Sequence, residues 1–190
     1  MAATEPIRDE YHARTLATHL LEKGEIRNYV MVTVGMYTAL RISDILRLYW
    51  DDVYDFEKSR VRREITVVEK KTRKARTIAL NKNVVKALEK YVEEAARGKP
   101  LIVNKNTGNP ISRVQAHRIV TNAAEKAKIP GKVSCHSLRK TFGYHAWKKG
   151  TPPAVIMDIY NHSSYETTRR YLGITQDDRN AVYLGMEYTA

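Results

Sequence analysis

Apolar residues recur along this chain at two spacings, and the switches between them divide it. From Asp9 to Lys23 and from Arg27 to Tyr37 the spacing is helical, with Val30, Met31, Val34 and Gly35 at helical intervals in the second segment. Ser43 offers an N-cap to a short helix, Asp44-Ile45-Leu46-Arg47-Leu48, just after Arg41. Between Val53 and Leu80 the pattern becomes alternating: Glu64-Ile65-Thr66-Val67-Val68-Glu69 and Ala75-Arg76-Thr77-Ile78-Ala79-Leu80 are rich in β-branched residues. A small antiparallel sheet follows, with its tight connection at Lys70-Lys71-Thr72-Arg73-Lys74. Helical spacing returns from Val84 to Ala96, where Val84, Val85, Leu88, Tyr91 and Val92 form one stripe. Ser112 to Gln115 has the capping-box pattern and opens a helix to about Lys128, closed by Pro130-Gly131. A helix from Ser137 to Lys149 ends at Gly150, and Thr151-Pro152 begins the next. Ser163 to Glu166 repeats the capping-box pattern before a helix holding Arg170 and Tyr171, and Thr175 to Asp178 caps a last, amphipathic one. The pattern predicts an α+β fold, mostly helical, with a small antiparallel three-stranded sheet and no internal repeat or long linker.

Composition narrows the class. A length of 190 residues suits one domain, and no apolar run approaches the roughly 20 residues that span a bilayer, so no membrane partner is expected. The charged N-terminus has no apolar stretch of a secretory signal, which places the protein in the cytoplasm. Cys135 is the one cysteine, excluding an intramolecular disulfide and a paired-cysteine zinc site. A net charge of +12 points to a polyanionic partner and by itself favours nucleic acid only about two to one over a solvated basic surface, an anionic membrane or a ribosomal partner.

Three segments carry groups that bind or attack phosphate. Arg41 lies among apolar residues in Tyr37-Thr38-Ala39-Leu40-Arg41-Ile42-Ser43, where an arginine needs a carboxylate or an anion. Asp44 could orient it, and a plain ion pair between helices would give the same pattern. His136 and Arg139 stand three residues apart, a spacing that puts an acid–base group and a phosphate-gripping fork on one helix face. Alone, that pair is weak in a chain with 6 His and many Arg. His162 precedes Tyr171 by nine residues across a turn and helix start. A tyrosine with an ordinary pKa of about 10 attacks phosphate only with a base and a cationic site beside it. Asp51, Asp52, Asp55 and Glu57 suit solvated turn residues better than a two-metal site, so no metal is expected. Cys135 suits a passive thiol, and no P-loop is present.

In order and interval, from residue 41 to residue 171, these elements resemble the catalytic domain of tyrosine recombinases, the phage integrase family. Leu40-Arg41-Ile42-Ser43-Asp44 resembles the first arginine box, Lys71-Thr72 the β-turn lysine site, and His136 to Arg139 the H-x-x-R box. His162 and Tyr171 fall at the second histidine and the nucleophile. Two departures stand out: Tyr160-Asn161 replaces the usual Leu-Gly before the second histidine, and the hairpin lacks the glycine that commonly follows its lysine, leaving Lys70 and Lys74 as rivals of Lys71.

The resemblance implies an enzyme that cleaves and rejoins DNA through a 3′-phosphotyrosyl bond at Tyr171, without cofactor. It makes Arg41 and Arg139 the groups that neutralise the non-bridging oxygens, Lys71 the acid for the 5′-oxygen, His136 the base, His162 a donor to phosphate and Asp44 the residue that fixes Arg41. It also implies double-stranded DNA as partner, a homo-oligomer (a tetramer in the synapse) and a place at the nucleoid. Residues 1–174 would form the catalytic domain, with opening helices over 1–40, the sheet over about 53–80 and a helical part over 83–174. Residues 175–190 would form a C-terminal helix, either exchanged onto a neighbouring protomer or folded back onto its own domain. The 40 residues before Arg41 leave no room for the family's N-terminal DNA-clamping domain, as in an excised fragment or a minimal recombinase. Relaxation by a type IB topoisomerase-like enzyme, or a non-catalytic DNA-binding regulator of the same fold, are the competing readings.

Overall fold

A computed structural model of the chain describes residues 4–70 and 73–186, except the side chain of Arg170. Asp9 caps the first helix, α1 (Glu10–Glu22), by accepting the Tyr11 N–H at 2.6 Å. The second, α2 (Ile26–Thr38), is buried along most of its length and forms the central rod of the main core. After it, α3 (Ile42–Ile45) begins at Arg41, one turn-start earlier than Ser43 would place it. A further short helix, α4 (Trp50–Val53), leads into the strands.

The sheet is two antiparallel pairs and not one three-stranded sheet. Strands β1 (Tyr54–Asp55) and β2 (Arg60–Val61) form one pair; β3 (Glu64–Val68) and β4 (Ala75–Ala79) form the other. The chain leaves the first pair at Arg62-Arg63, where Arg62 N–H bonds to Val53 and the Arg63 carbonyl accepts from Leu80, so the two ladders never merge. In β3, Ile65 and Val67 are buried while Glu64, Thr66 and Val68 are exposed, the alternation of a strand with one face on a core.

Helix α5 (Lys82–Glu89) is capped by Asn81 and stops earlier than the apolar stripe suggests, handing over to a short 3₁₀ turn at Val92–Glu94. Helix α6 (Arg113–Lys126) carries the reciprocal Ser112–Gln115 capping box at 3.1 and 2.8 Å, as expected from S-x-x-Q. Helix α7 (Cys135–Lys148) starts two residues before its expected start, because Ser134 and Ser137 form the box there. Helices α8 (Pro153–Tyr160), α9 (Tyr165–Leu172) and α10 (Gln176–Leu184) follow; Ser164, not Ser163, caps α9, and Thr175 with Asp178 caps α10.

Two features of this packing position the site. A Cβ on Gly35 would lie 2.9 Å from Leu138 Cδ1, so glycine allows α2 and α7 to approach closely. A second, smaller core gathers Ala39, Ile156, Tyr160 and Leu172, with Phe142, Trp147 and Tyr171 against it, and so ties α7, α8 and α9 together. The N-terminal segment straps this assembly: Ile7 N–H bonds to Thr141 at 2.9 Å and Arg8 Nη2 to the Gly173 carbonyl at 2.9 Å, just beyond Tyr171. Among the described residues no helix is long and apolar enough to cross a membrane.

Candidate active site

His136 occupies the first turn of α7, and Arg139 lies on the same helix three residues on. The Arg139 side chain turns inward and is 1% exposed. Its Nη2 donates to the Tyr160 carbonyl at 2.7 Å and its Nη1 to the Ala39 carbonyl, the left-handed residue that ends α2. Among the described residues no carboxylate lies within ion-pair distance of it, and its buried Nε has no hydrogen-bond partner. Burial, with the nearby charge of Arg41, holds its pKa down at about 10, still a cation at neutral pH. A buried cation held by dipoles alone is a site short of an anion.

Tyr171 reaches this place from α9. Its hydroxyl lies 2.8 Å from His136 Nε2, and its ring is 5.5 Å from the His136 ring, 4.9 Å from His162 and 5.2 Å from Tyr160. Lys140 Nζ and the Arg139 guanidinium stand 5.7 and 6.0 Å from its centroid. His162 is oriented by Thr168, whose Oγ1 lies 3.0 Å from its Nδ1. Asn161, in place of the glycine usual before that histidine, takes the left-handed conformation at φ 54°, which asparagine tolerates better than most residues.

Arg41 joins through an acid that the sequence reading passed over. Its carboxylate partner is Glu69, at 2.6 Å, and not Asp44. Glu69 is fully buried and also faces Arg76 Nε at 3.6 Å, while Arg76 bonds to the Thr38 and Ile159 carbonyls. Burial lowers the Arg76 pKa and Glu69 opposes that shift. The signal was in the alternation: Glu69 continues the inward face of Ile65 and Val67, and Arg76 lies opposite Val67 in the ladder. Asp44 serves the hairpin instead, accepting the Lys70 N–H at 3.0 Å, because α3 directs it toward the end of β3. Lys71 and Thr72 lie outside the described residues.

Removing the Glu69 charge leaves two adjacent arginines without their counter-ion. Glu69→Gln is expected to cost about 3–5 kcal/mol, which at roughly 2–4 °C per kcal/mol lowers the melting temperature by about 6–20 °C. A shift of less than about 2 °C in thermal unfolding would contradict this account of the cluster.

The remaining candidates have local duties. Asp52 accepts Tyr49 N–H at 2.7 Å, Asp51 accepts Gly98 N–H at 2.6 Å, and Asp55 accepts the amides of Glu57 and Lys58. Burial raises the Cys135 thiol to about 11, so it is mostly protonated at neutral pH.

A family model described as the phage integrase family matches residues 9–177. The chain belongs to the phage integrase family. It is 34% identical over 183 residues to the probable integrase/recombinase YoeC of Bacillus subtilis (strain 168), covering 96% of this chain and 97% of that protein. It is 28% identical over 167 residues to the tyrosine recombinase XerD of Corynebacterium glutamicum, covering 85% of this chain but 53% of that protein, so it spans about half of that relative's length. The crystal structure of XerA recombinase superposes with a TM-score of 0.79 at 24% identity, over 99% of this chain and 68% of that one. This integrase-family chain therefore has the fold of a tyrosine recombinase catalytic domain, and it is an enzyme of the DNA strand breaking-and-rejoining class. That reading stands ahead of relaxation by rotation and of a non-catalytic regulator.

Proposed function

We propose that this domain recombines DNA at specific sites by covalent catalysis at Tyr171. The Tyr171 oxygen attacks a backbone phosphorus, the bond to the 5′-oxygen breaks, and a 3′-phosphotyrosyl ester forms. His136 takes the phenol proton, and Lys71 gives a proton to the departing 5′-oxygen. Arg139 and Arg41 neutralise the non-bridging oxygens, where negative charge grows in the transition state. His162 donates to the same phosphate, and Asp44 holds the root of the lysine hairpin. A 5′-hydroxyl from a second strand reverses the steps; the ester conserves the bond energy, so neither ATP nor a metal is called upon.

The observation that carries this reading is the 2.8 Å contact between Tyr171 and His136 beside an arginine that has no carboxylate partner among the described residues. Incubation with a nicked candidate site and denaturing electrophoresis tests it: a covalent protein–DNA band is expected, and its absence on every site that the protein binds overturns the reading. Double-stranded DNA, met in the cytoplasm at the nucleoid, is the partner in this proposal; family membership supports it and the +12 charge is compatible with it.

Assembly as a tetramer on paired sites is part of the same proposal. Helix α10 is held to its own domain by Lys148 and Asp178 at 2.6 Å, yet Val182, Tyr183 and Leu184 are 64%, 76% and 81% exposed. A helix this short needs a surface for its apolar residues, and a neighbouring protomer supplies one. Deleting everything after Ile174 is expected to slow strand exchange about tenfold or more, with DNA affinity changed by no more than about threefold. Full-rate exchange by the truncated protein would rule out this role.

A further inference from the structure

Among the described residues Tyr160 is one of the largest fully buried side chains, and it touches three groups of the site, Arg139, Tyr171 and His162. Its ring lies under the Arg139 guanidinium at 4.5 Å, with the Tyr171 ring at 5.2 Å and the His162 ring at 5.0 Å. Its carbonyl accepts from Arg139 Nη2 at 2.7 Å. Its hydroxyl donates to the Arg139 carbonyl at 2.6 Å and lies against the Gly143 amide, so both ends of the residue are fastened to α7. That second contact depends on a missing atom. A Cβ on Gly143 would lie 2.8 Å from Tyr160 Cζ and 2.9 Å from Cε2, and nearer still to the hydroxyl, closer than such atoms approach. Gly143 sits mid-helix in α7, where glycine is otherwise a poor choice, and its backbone is not in the left-handed region; the room for the phenol is what requires it.

We propose that Tyr160 and Gly143 act as a matched pair that positions the reacting groups: the Tyr160 ring is a platform under Arg139 and against Tyr171, and Gly143 is the notch that lets its hydroxyl latch onto α7. Tyr160 is thus a positioning residue, acting through Arg139 and Tyr171 and not on the phosphate. Three contacts meet on one ring, so a displacement of that ring moves the cation, the nucleophile and His162 together. Misplacement of about 1 Å at reacting atoms costs up to roughly 100-fold in rate.

This inference rests on the covalent reading of the site, and the experiment separates the two. The readout is the single-turnover rate of adduct formation on a nicked site at saturating DNA, with DNA affinity and melting temperature measured alongside. Gly143→Ala and Tyr160→Leu are each expected to lower the rate by about tenfold to 100-fold, with affinity within about threefold of wild type. Combining them is expected to cost no more than Tyr160→Leu alone, since without the phenol the added methyl meets nothing. Tyr160→Phe keeps the platform without the latch and is expected to fall between wild type and Tyr160→Leu. If the two losses multiply, or if Tyr160→Leu leaves the rate unchanged, the pair does not position the site. Should Gly143→Ala fail to fold, Tyr160→Leu against Tyr160→Phe still decides: equal rates in both would remove the platform from the account. Absence of any wild-type adduct would instead count against the function itself.

Discussion

Tyr171→Phe is expected to abolish the covalent protein–DNA adduct, a fall of at least about 10⁴-fold for removal of a nucleophile, while DNA affinity stays within about twofold. The substitution removes one oxygen and no charge. Phenylalanine keeps the ring that packs at 4.9 Å from His162 and 5.2 Å from Tyr160, so the second core keeps its filling and α9 its seat. The lost contact is the 2.8 Å bond to His136, which is exposed to water and so bears no unsatisfied burial cost in the variant. Denaturing gels on a nicked site, with a binding titration on the same DNA, check both halves. An adduct that survives in the variant would mean that another group is the nucleophile.

Arg139→Lys is expected to lower the cleavage rate by about 100-fold or more, even though the charge is kept. Arginine has five N–H donors; in this site two are spent on the Ala39 and Tyr160 carbonyls, and in the proposed mechanism the donors left over serve the phosphate. Lysine has three donors on one flexible point, so it cannot hold both carbonyls and also present a planar fork to the two oxygens. The shorter, rounder head also gives up the stacking on Tyr160 at 4.5 Å. Alanine at the same position would additionally open a cavity in the second core, which is why lysine is the cleaner test. Single-turnover cleavage within a few-fold of wild type would mean that some other residue neutralises the phosphate.

Much of the candidate site was legible in the sequence because its groups sit in short, local patterns. His136 and Arg139 share a helix turn, His162 precedes Tyr171 by a capped turn and helix, and Arg41 stands at the end of an apolar stretch where a bare cation is out of place. The strand alternation likewise carried Ile65 and Val67 inward. Glu69 was placed in the strand but not in the site, because alternation says which way a side chain faces and not which distant cation it meets. The helix starts moved by one or two residues at Ser134, Ser164 and Arg41, where several capping residues adjoin and packing chooses among them.

By itself, then, the sequence determined the helical class, the hairpin, and which candidate groups the site would have and in what order, since each depends on residue type and on neighbours within about one turn or one strand. Only the tertiary structure decided which carboxylate serves which cation. Arg41 is 28 residues from Glu69, Arg139 is 100 residues from Ala39 and Tyr171 is 35 from His136, and such distances close only when α2, α7 and the hairpin pack together. The same packing split the expected sheet into two pairs and joined Tyr160 to Gly143 across the two helices α7 and α8. Local pattern specifies what a side chain can do; the partner it meets is set by where burial brings distant elements into contact, and no spacing along the chain records that.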